Sequence, residues 1–160
     1  MYTAIHRKLK LLLVFAGTLF LLIPARSQGL SMGDRAIEFP DIPGYLTLKC
    51  DFHTHTVLSD GHVWPNIRVE EALRDGLDAI SITDHLEYQP HRADIPHPDR
   101  NRSYELAQQA AEGKDLIIIH GAEITRSMPP GHANAIFLED ANALNRDDVM
   151  EVFREAKRQG

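Results

Sequence analysis

Two histidines stand one residue apart in the segment CDFHTHTVLSDG, Cys50 to Gly61, and an aspartate, Asp60, follows five residues after the second. Residues i and i+2 of a strand point to one face, so His53 and His55 present two imidazoles side by side. Two ring nitrogens so placed can hold one metal ion, and nitrogen donors suit zinc, iron or manganese. Asp60 sits in SDG and reads in two ways: as a further ligand, or as a turn residue with Gly61 at positive φ. His62, just beyond, is an alternative ligand to Asp60.

Elements of regular spacing must position these groups. YLTLKCDFHTH reads as a strand, LDAISITDH and LIIIHGAEIT as strands buried on both faces, and HANAIFLE as a fourth strand after the turn MPPG. PNIRVEEALRDG reads as a helix with Pro65 in its first turn and Gly76 at its end. SYELAQQAAEGK reads as a second helix with Ser103 as N-cap. NRDDVMEVFREAKRQG reads as a third, capped by Asn145, with Asp147 and Asp148 early and Lys157 and Arg158 late, as the helix dipole favours. Strands alternating with helices imply parallel β/α units. The expected fold is α/β, the first half of a β/α barrel, over residues 45–160.

Polar residues gather where these strands end. His53 and His55 close the first, Asp84 and His85 the second, Glu123 the third, and His132 opens the fourth. Active sites in β/α folds are built on that edge. One such residue is readily explained as a satisfied strand end; six in register are not.

The segments DFHTHTVLSDG, ITDH, GAEI and GHANAIFL resemble, in this order, the motifs of the PHP family, named for polymerase and histidinol phosphatase. The resemblance spans Leu46 to Leu138. It implies a distorted seven-stranded β/α barrel holding two or three divalent metal ions, zinc, manganese or iron. It implies that His53, His55 and Glu123 hold the first, that Glu123 bridges to a second held with His132, and that Asp60 and His85 hold a third. It implies hydrolysis of phosphate mono- or diesters by a metal-bound hydroxide, the two-metal pattern. The family's last-strand ligands, a histidine and an Asp-x-His pair, have no counterpart after His132, which points to an incomplete, truncated barrel.

A phosphoester substrate also calls for arginine. Arg126, directly after GAEIT, is the foremost candidate, and Arg92 in the loop after His85 is a second. Asp84 is either a partner that orients an imidazole or a cap on the strand end or the next loop. His120 has the opposite strand parity to Glu123 and reads as a buried structural histidine. His91 and His97 lie in a proline-bearing loop and read as solvated. Cys50, the single cysteine, excludes an internal disulfide and reads as a buried, inert thiol.

The amino terminus carries Arg7, Lys8 and Lys10, a 13-residue apolar run from Leu11 to Ile23, Pro24, and the small residues Ala25 and Ser27. This is the pattern of a secretory signal peptide, residues 1–27, cleaved after Ser27, with a Gly/Pro/Ser-rich lead-in over 28–44. The run is short for a membrane span, so no stable membrane anchor is expected after cleavage. Cleavage removes four cations and takes the net charge from −6 to −10. So acidic an exported domain is a poor nucleic-acid binder. The expectation is a secreted or periplasmic metal-dependent phosphoesterase. An amidohydrolase-like enzyme cutting C–N or C–O bonds, and a non-catalytic metal-binding remnant, are the alternatives.

Overall fold

The structure, a computed structural model, describes residues 39–160. The signal-peptide reading lies outside them, as does most of the lead-in. Among the described residues no helix is long and apolar enough to cross a membrane.

The elements run β1 (Cys50–Thr54), α1 (Pro65–Arg74), β2 (Ala79–Ile82), α2 (Arg102–Ala111), β3 (Ile117–Ile124), β4 (Ala133–Ile136), one 3₁₀ turn (Ala141–Leu144) and α3 (Val149–Gln159). The sheet order is β1-β2-β3-β4. The fold is α/β, a four-stranded half barrel, as expected, with one difference. β1, β2 and β3 are parallel, but β4 runs antiparallel to β3. The reason is length: a parallel return needs a crossover of a dozen or more residues, and residues 125–132 are too few.

Two apolar clusters flank the sheet. Val69 and Ala72 of α1 and Ala107 and Ala111 of α2 pack on Ile80 and Ile82 of β2. Small residues line α2 at every fourth position, Ser103, Ala107 and Ala111, and let α1 and α2 lie close. Val152 of α3 and Leu144 cover Ala122 and Ile124 of β3 and Ala135 of β4. α1 ends in a Schellman turn: Leu77 N–H donates to the Ala72 carbonyl at 2.9 Å, with Gly76 at φ 69°.

Two helix caps differ from expectation. Ser103 is buried inside α2, which starts one residue after Asn101. α3 is capped by Asp148, whose side chain accepts from Met150 N–H, and not by Asn145. Cys50 is exposed, not buried. Among the described residues β1 pairs with β2 alone, which leaves Cys50 in contact with solvent.

Asn101 is drawn from capping by a tertiary clasp between two Asp-x-Asn tripeptides. Its amide donates to Asp140 at 2.9 Å, and its carbonyl accepts from Ala141 N–H at 2.8 Å. Reciprocally, the Asn142 amide donates to Asp99 at 2.7 Å, and its carbonyl accepts from Arg100 N–H at 2.8 Å. The clasp ties the loop before α2 to the turn after β4.

The Asn142 amide and the Asn101 N–H hold the Asp99 carboxyl below its ordinary range, and the Asn101 amide does the same for Asp140. A carboxyl depressed on folding stabilises the fold above its unfolded pKa and loses that effect as pH falls through the folded one. The clasp therefore weakens below about pH 4. Asn142→Ala should cost about 1–2 kcal/mol in urea unfolding at neutral pH. Asn101→Ala should add less than its separate cost, and both variants should lose less stability on acidification than the parent. Additive costs with an unchanged acid limb would show that the two tripeptides act independently.

Candidate metal centre

β1 ends in a register shift against β2, between Asp51 and Thr54, and His55 lies one residue past the strand. The two histidine rings nonetheless share a face: their Nε2 atoms lie 3.0 Å apart. Both point at one oxygen of Glu123, His53 at 2.8 Å and His55 at 2.9 Å. Glu123 reaches this place through its main chain. Its N–H donates to the Asp84 carbonyl and its carbonyl accepts from Leu86 N–H, each at 3.0 Å, which zips β3 onto the end of β2 beside His85.

The antiparallel register of β4 supplies the next ligand. Glu123 pairs with Asn134 and Ile124 with Ala133, so His132 returns to Glu123 from nine residues along the chain. Its Nδ1 is hydrogen-bonded to the second Glu123 oxygen. Asp60 meets His55 Nδ1 at 2.7 Å and His85 Nε2 at 3.3 Å. Three overlapping triads result: His53–His55–Glu123, His55–Asp60–His85 and His85–Glu123–His132. All six residues that the sequence singles out as ligands converge in one cluster.

The donor set fits cations. Ligands 2.0–2.1 Å from a tetrahedral ion lie about 3.3 Å from one another. The contacts among His53, His55 and Glu123 are 2.8–3.0 Å, close to that edge length. Two imidazole nitrogens facing each other cannot both carry a proton comfortably, yet two lone pairs facing one cation are at ease. The Glu123 side chain is only 3% exposed. Burial opposes its ionisation, but the His53 hydrogen bond, His85, His132 and His55 outweigh burial and hold the carboxyl below its ordinary range. Burial is likewise outweighed at Asp60, by His55 and His85.

Asp84 does not orient an imidazole. Its carboxylate accepts from Thr56 N–H at 2.6 Å, the Thr56 hydroxyl at 2.7 Å and the Ser59 hydroxyl at 2.6 Å. It anchors the loop between β1 and α1 that carries Asp60, which lies before it in the chain and not after it. Gly61 serves the same loop, but not through positive φ, which the structure does not give it. A Cβ there would lie 2.6 Å from the backbone carbon and oxygen of His55, so the close chain approach excludes any larger residue.

The arginines are elsewhere. Arg126 pairs with Glu87 at 3.0 Å and donates to the Arg146 carbonyl at 2.6 Å, so both ends of its guanidinium are engaged within the fold. Arg92 is exposed in the loop after β2. Neither is brought to the cluster, and the phosphate-gripping role expected of Arg126 conflicts with its contacts. His120 is buried as expected, stacked on Tyr104 with ring centroids 4.2 Å apart. His62 is exposed. His97 is half-buried rather than solvated, its Nδ1 bonded to the Ile95 carbonyl at 2.5 Å.

Three residues of the site went unmarked in the sequence. Arg68 on α1 donates to the His55 carbonyl at 2.8 Å and pins the end of β1. Thr125 meets His85, and Glu87 in turn holds Thr125. Thr125 directly follows GAEI and Glu87 lies two residues after His85, so adjacency to the motifs was the available signal.

The comparisons with known proteins agree with this geometry. The family model described as the PHP domain matches residues 51–159. A crystal structure from Bacteroides vulgatus is 58% identical, with a TM-score of 0.75 over 78% of this chain and 36% of that one. It is described as a two-domain protein "containing predicted PHP-like metal-dependent phosphoesterase". An uncharacterized protein of Methanocaldococcus jannaschii is 34% identical over 83 residues, 52% of this chain and 36% of that protein. The chain thus spans just over a third of the length of either relative.

Replacing Asp84 by Ala leaves three buried donors, on Thr56 and Ser59, without their acceptor. Urea unfolding should register a loss of about 2–4 kcal/mol. A loss below about 0.5 kcal/mol would mean that these donors find other partners and that the Asp60 loop does not hang on Asp84.

Proposed function

The chain belongs to the PHP family, and from that membership we propose that it carries the metal-binding strand ends of an exported, metal-dependent phosphoesterase acting on phosphate mono- or diesters. The observation that supports this most is the buried Glu123 carboxylate, shared by two of the three triads and flanked by imidazoles on both oxygens.

Bound divalent cations, zinc, manganese or iron, would supply Lewis-acid charge and lower the pKa of water at the centre. His53, His55 and Glu123 would hold one, Glu123, His132 and His85 bound a second place, and Asp60, His55 and His85 a third. The residues also set the direction of approach. His53 and His132 are each 55% exposed, whereas His85 and Glu123 form a buried floor. Substrate would therefore arrive over His53 and His132.

Charge favours a phosphoester over a neutral amide. Asp60 and Glu123 are the carboxylates that this chain brings to the three triads, and their two single negative charges do not balance two or three dications. The excess positive charge favours an anionic substrate and the negative charge that develops on its oxygens. Arg126, committed to Glu87, adds nothing to that charge.

Glu123→Gln and His55→Ala should each remove bound metal, read by elemental analysis, and lower hydrolysis of p-nitrophenyl phosphate or its bis ester by at least about 100-fold. Full activity in either variant, or cleavage of amides in preference to phosphoesters, would overturn the reading. The proposal of export rests on residues 1–27. Amino-terminal sequencing of the mature protein should begin at Gln28; a chain starting at Met1 would refute cleavage.

A further inference from the structure

His85 belongs to two of the triads, and its two nitrogens face different ways. Nε2 faces Asp60 at 3.3 Å, while Nδ1 lies 3.5 Å from Glu123. A nitrogen that holds a proton cannot bind a cation, so the position of one proton decides which place His85 serves.

The shortest contact of this ring is with neither carboxylate. Nδ1 lies 2.6 Å from the hydroxyl oxygen of Thr125. That hydroxyl has an outlet for its own hydrogen, the Glu123 carbonyl at 3.3 Å, which leaves an oxygen lone pair toward the ring. Thr125 is fixed in turn: its N–H donates to one oxygen of Glu87 at 2.7 Å. The other Glu87 oxygen pairs with Arg126 at 3.0 Å, and Arg126 is tied to the Arg146 carbonyl at 2.6 Å. The remaining neighbours of the ring are aromatic: His55 and His132 meet it edge to face, at 4.4 Å and 5.6 Å between centroids, and Tyr88 at 5.6 Å. They restrict its tilt but do not address Nδ1.

We propose that Thr125 is a positioning residue. It accepts the Nδ1–H of His85, fixes the ring's tautomer and commits Nε2 to the cation place shared with Asp60 and His55; Glu87 and Arg126 hold Thr125 in place. This rests on the metal reading above. It also gives Arg126 a task that its contacts support, anchoring the centre from behind.

The test uses ¹⁵N-histidine-labelled protein at about pH 8, where unperturbed imidazoles are neutral. Long-range ¹H–¹⁵N spectra are taken before and after zinc is added, for the parent, Thr125→Val and Thr125→Ser. In the parent, His85 should show Nδ1–H in both spectra, with zinc shifting Nε2. Thr125→Val keeps the side chain's shape but offers no acceptor. It should lose the Nδ1–H preference and bind zinc at the His85 place about 10–100-fold more weakly. Thr125→Ser should restore both. A parent ring carrying Nε2–H would overturn the proposal, as would a Val variant with the parent's spectrum and zinc affinity. A parent with Nδ1–H at His85 but no histidine responsive to zinc would instead overturn the metal reading on which the proposal rests.

Discussion

A carboxylate buried at the end of a central strand is the constraint around which the rest of the molecule is organised. Glu123 is almost wholly out of water, and an ionised group so placed is costly unless charge or hydrogen bonds compensate it. The compensation comes from four imidazoles carried by three different segments. His53 and His55 come from the end of β1, His85 follows β2, and His132 precedes β4. Glu123 needs them to remain charged, and they need Glu123 to sit together. The contacts that keep Glu123 charged thus depend on these segments meeting in the observed register.

Behind the imidazoles and carboxylates lies a layer of residues whose contacts are with the protein itself. Asp84 gathers Thr56 and Ser59, and so shapes the loop that presents Asp60. Arg68 holds the His55 carbonyl from α1. Glu87, clamped by Arg126, holds Thr125 against His85. Each of these groups fixes the angle of a side chain that faces the centre. A metal site built this way is preorganised, since its donors converge before any ion arrives.

The same arrangement divides labour along the strand ends. The floor, Glu123 and His85, is dry and braced from behind, while His53 and His132 stand at the rim in contact with solvent. A rigid floor with an accessible rim suits ions held tightly beneath an exchangeable substrate.

Much of this was legible in the sequence because it depends on short-range periodicity. The i, i+2 spacing places His53 and His55 on one face, strand parity separates Glu123 from His120, and apolar runs bounded by turn residues mark β2, β3 and the helices. The polar residues at successive strand ends identified the cluster, because a β/α chain brings those ends together. Tertiary structure decided the rest. β4 turned out antiparallel because its connection is too short to cross over, and only that pairing returns His132 to Glu123. Asn101, and not Ser103, precedes α2, and its amide turns away from the helix to Asp140, 39 residues on. Cys50 is exposed, although its strand pattern reads as buried. Gly61 is required by the approach of His55 rather than by its own φ. Arg126, placed beside GAEI by the sequence, pairs instead with Glu87. Periodicity determines which face a residue occupies. Which partner reaches it first is settled only when distant segments come within hydrogen-bonding distance.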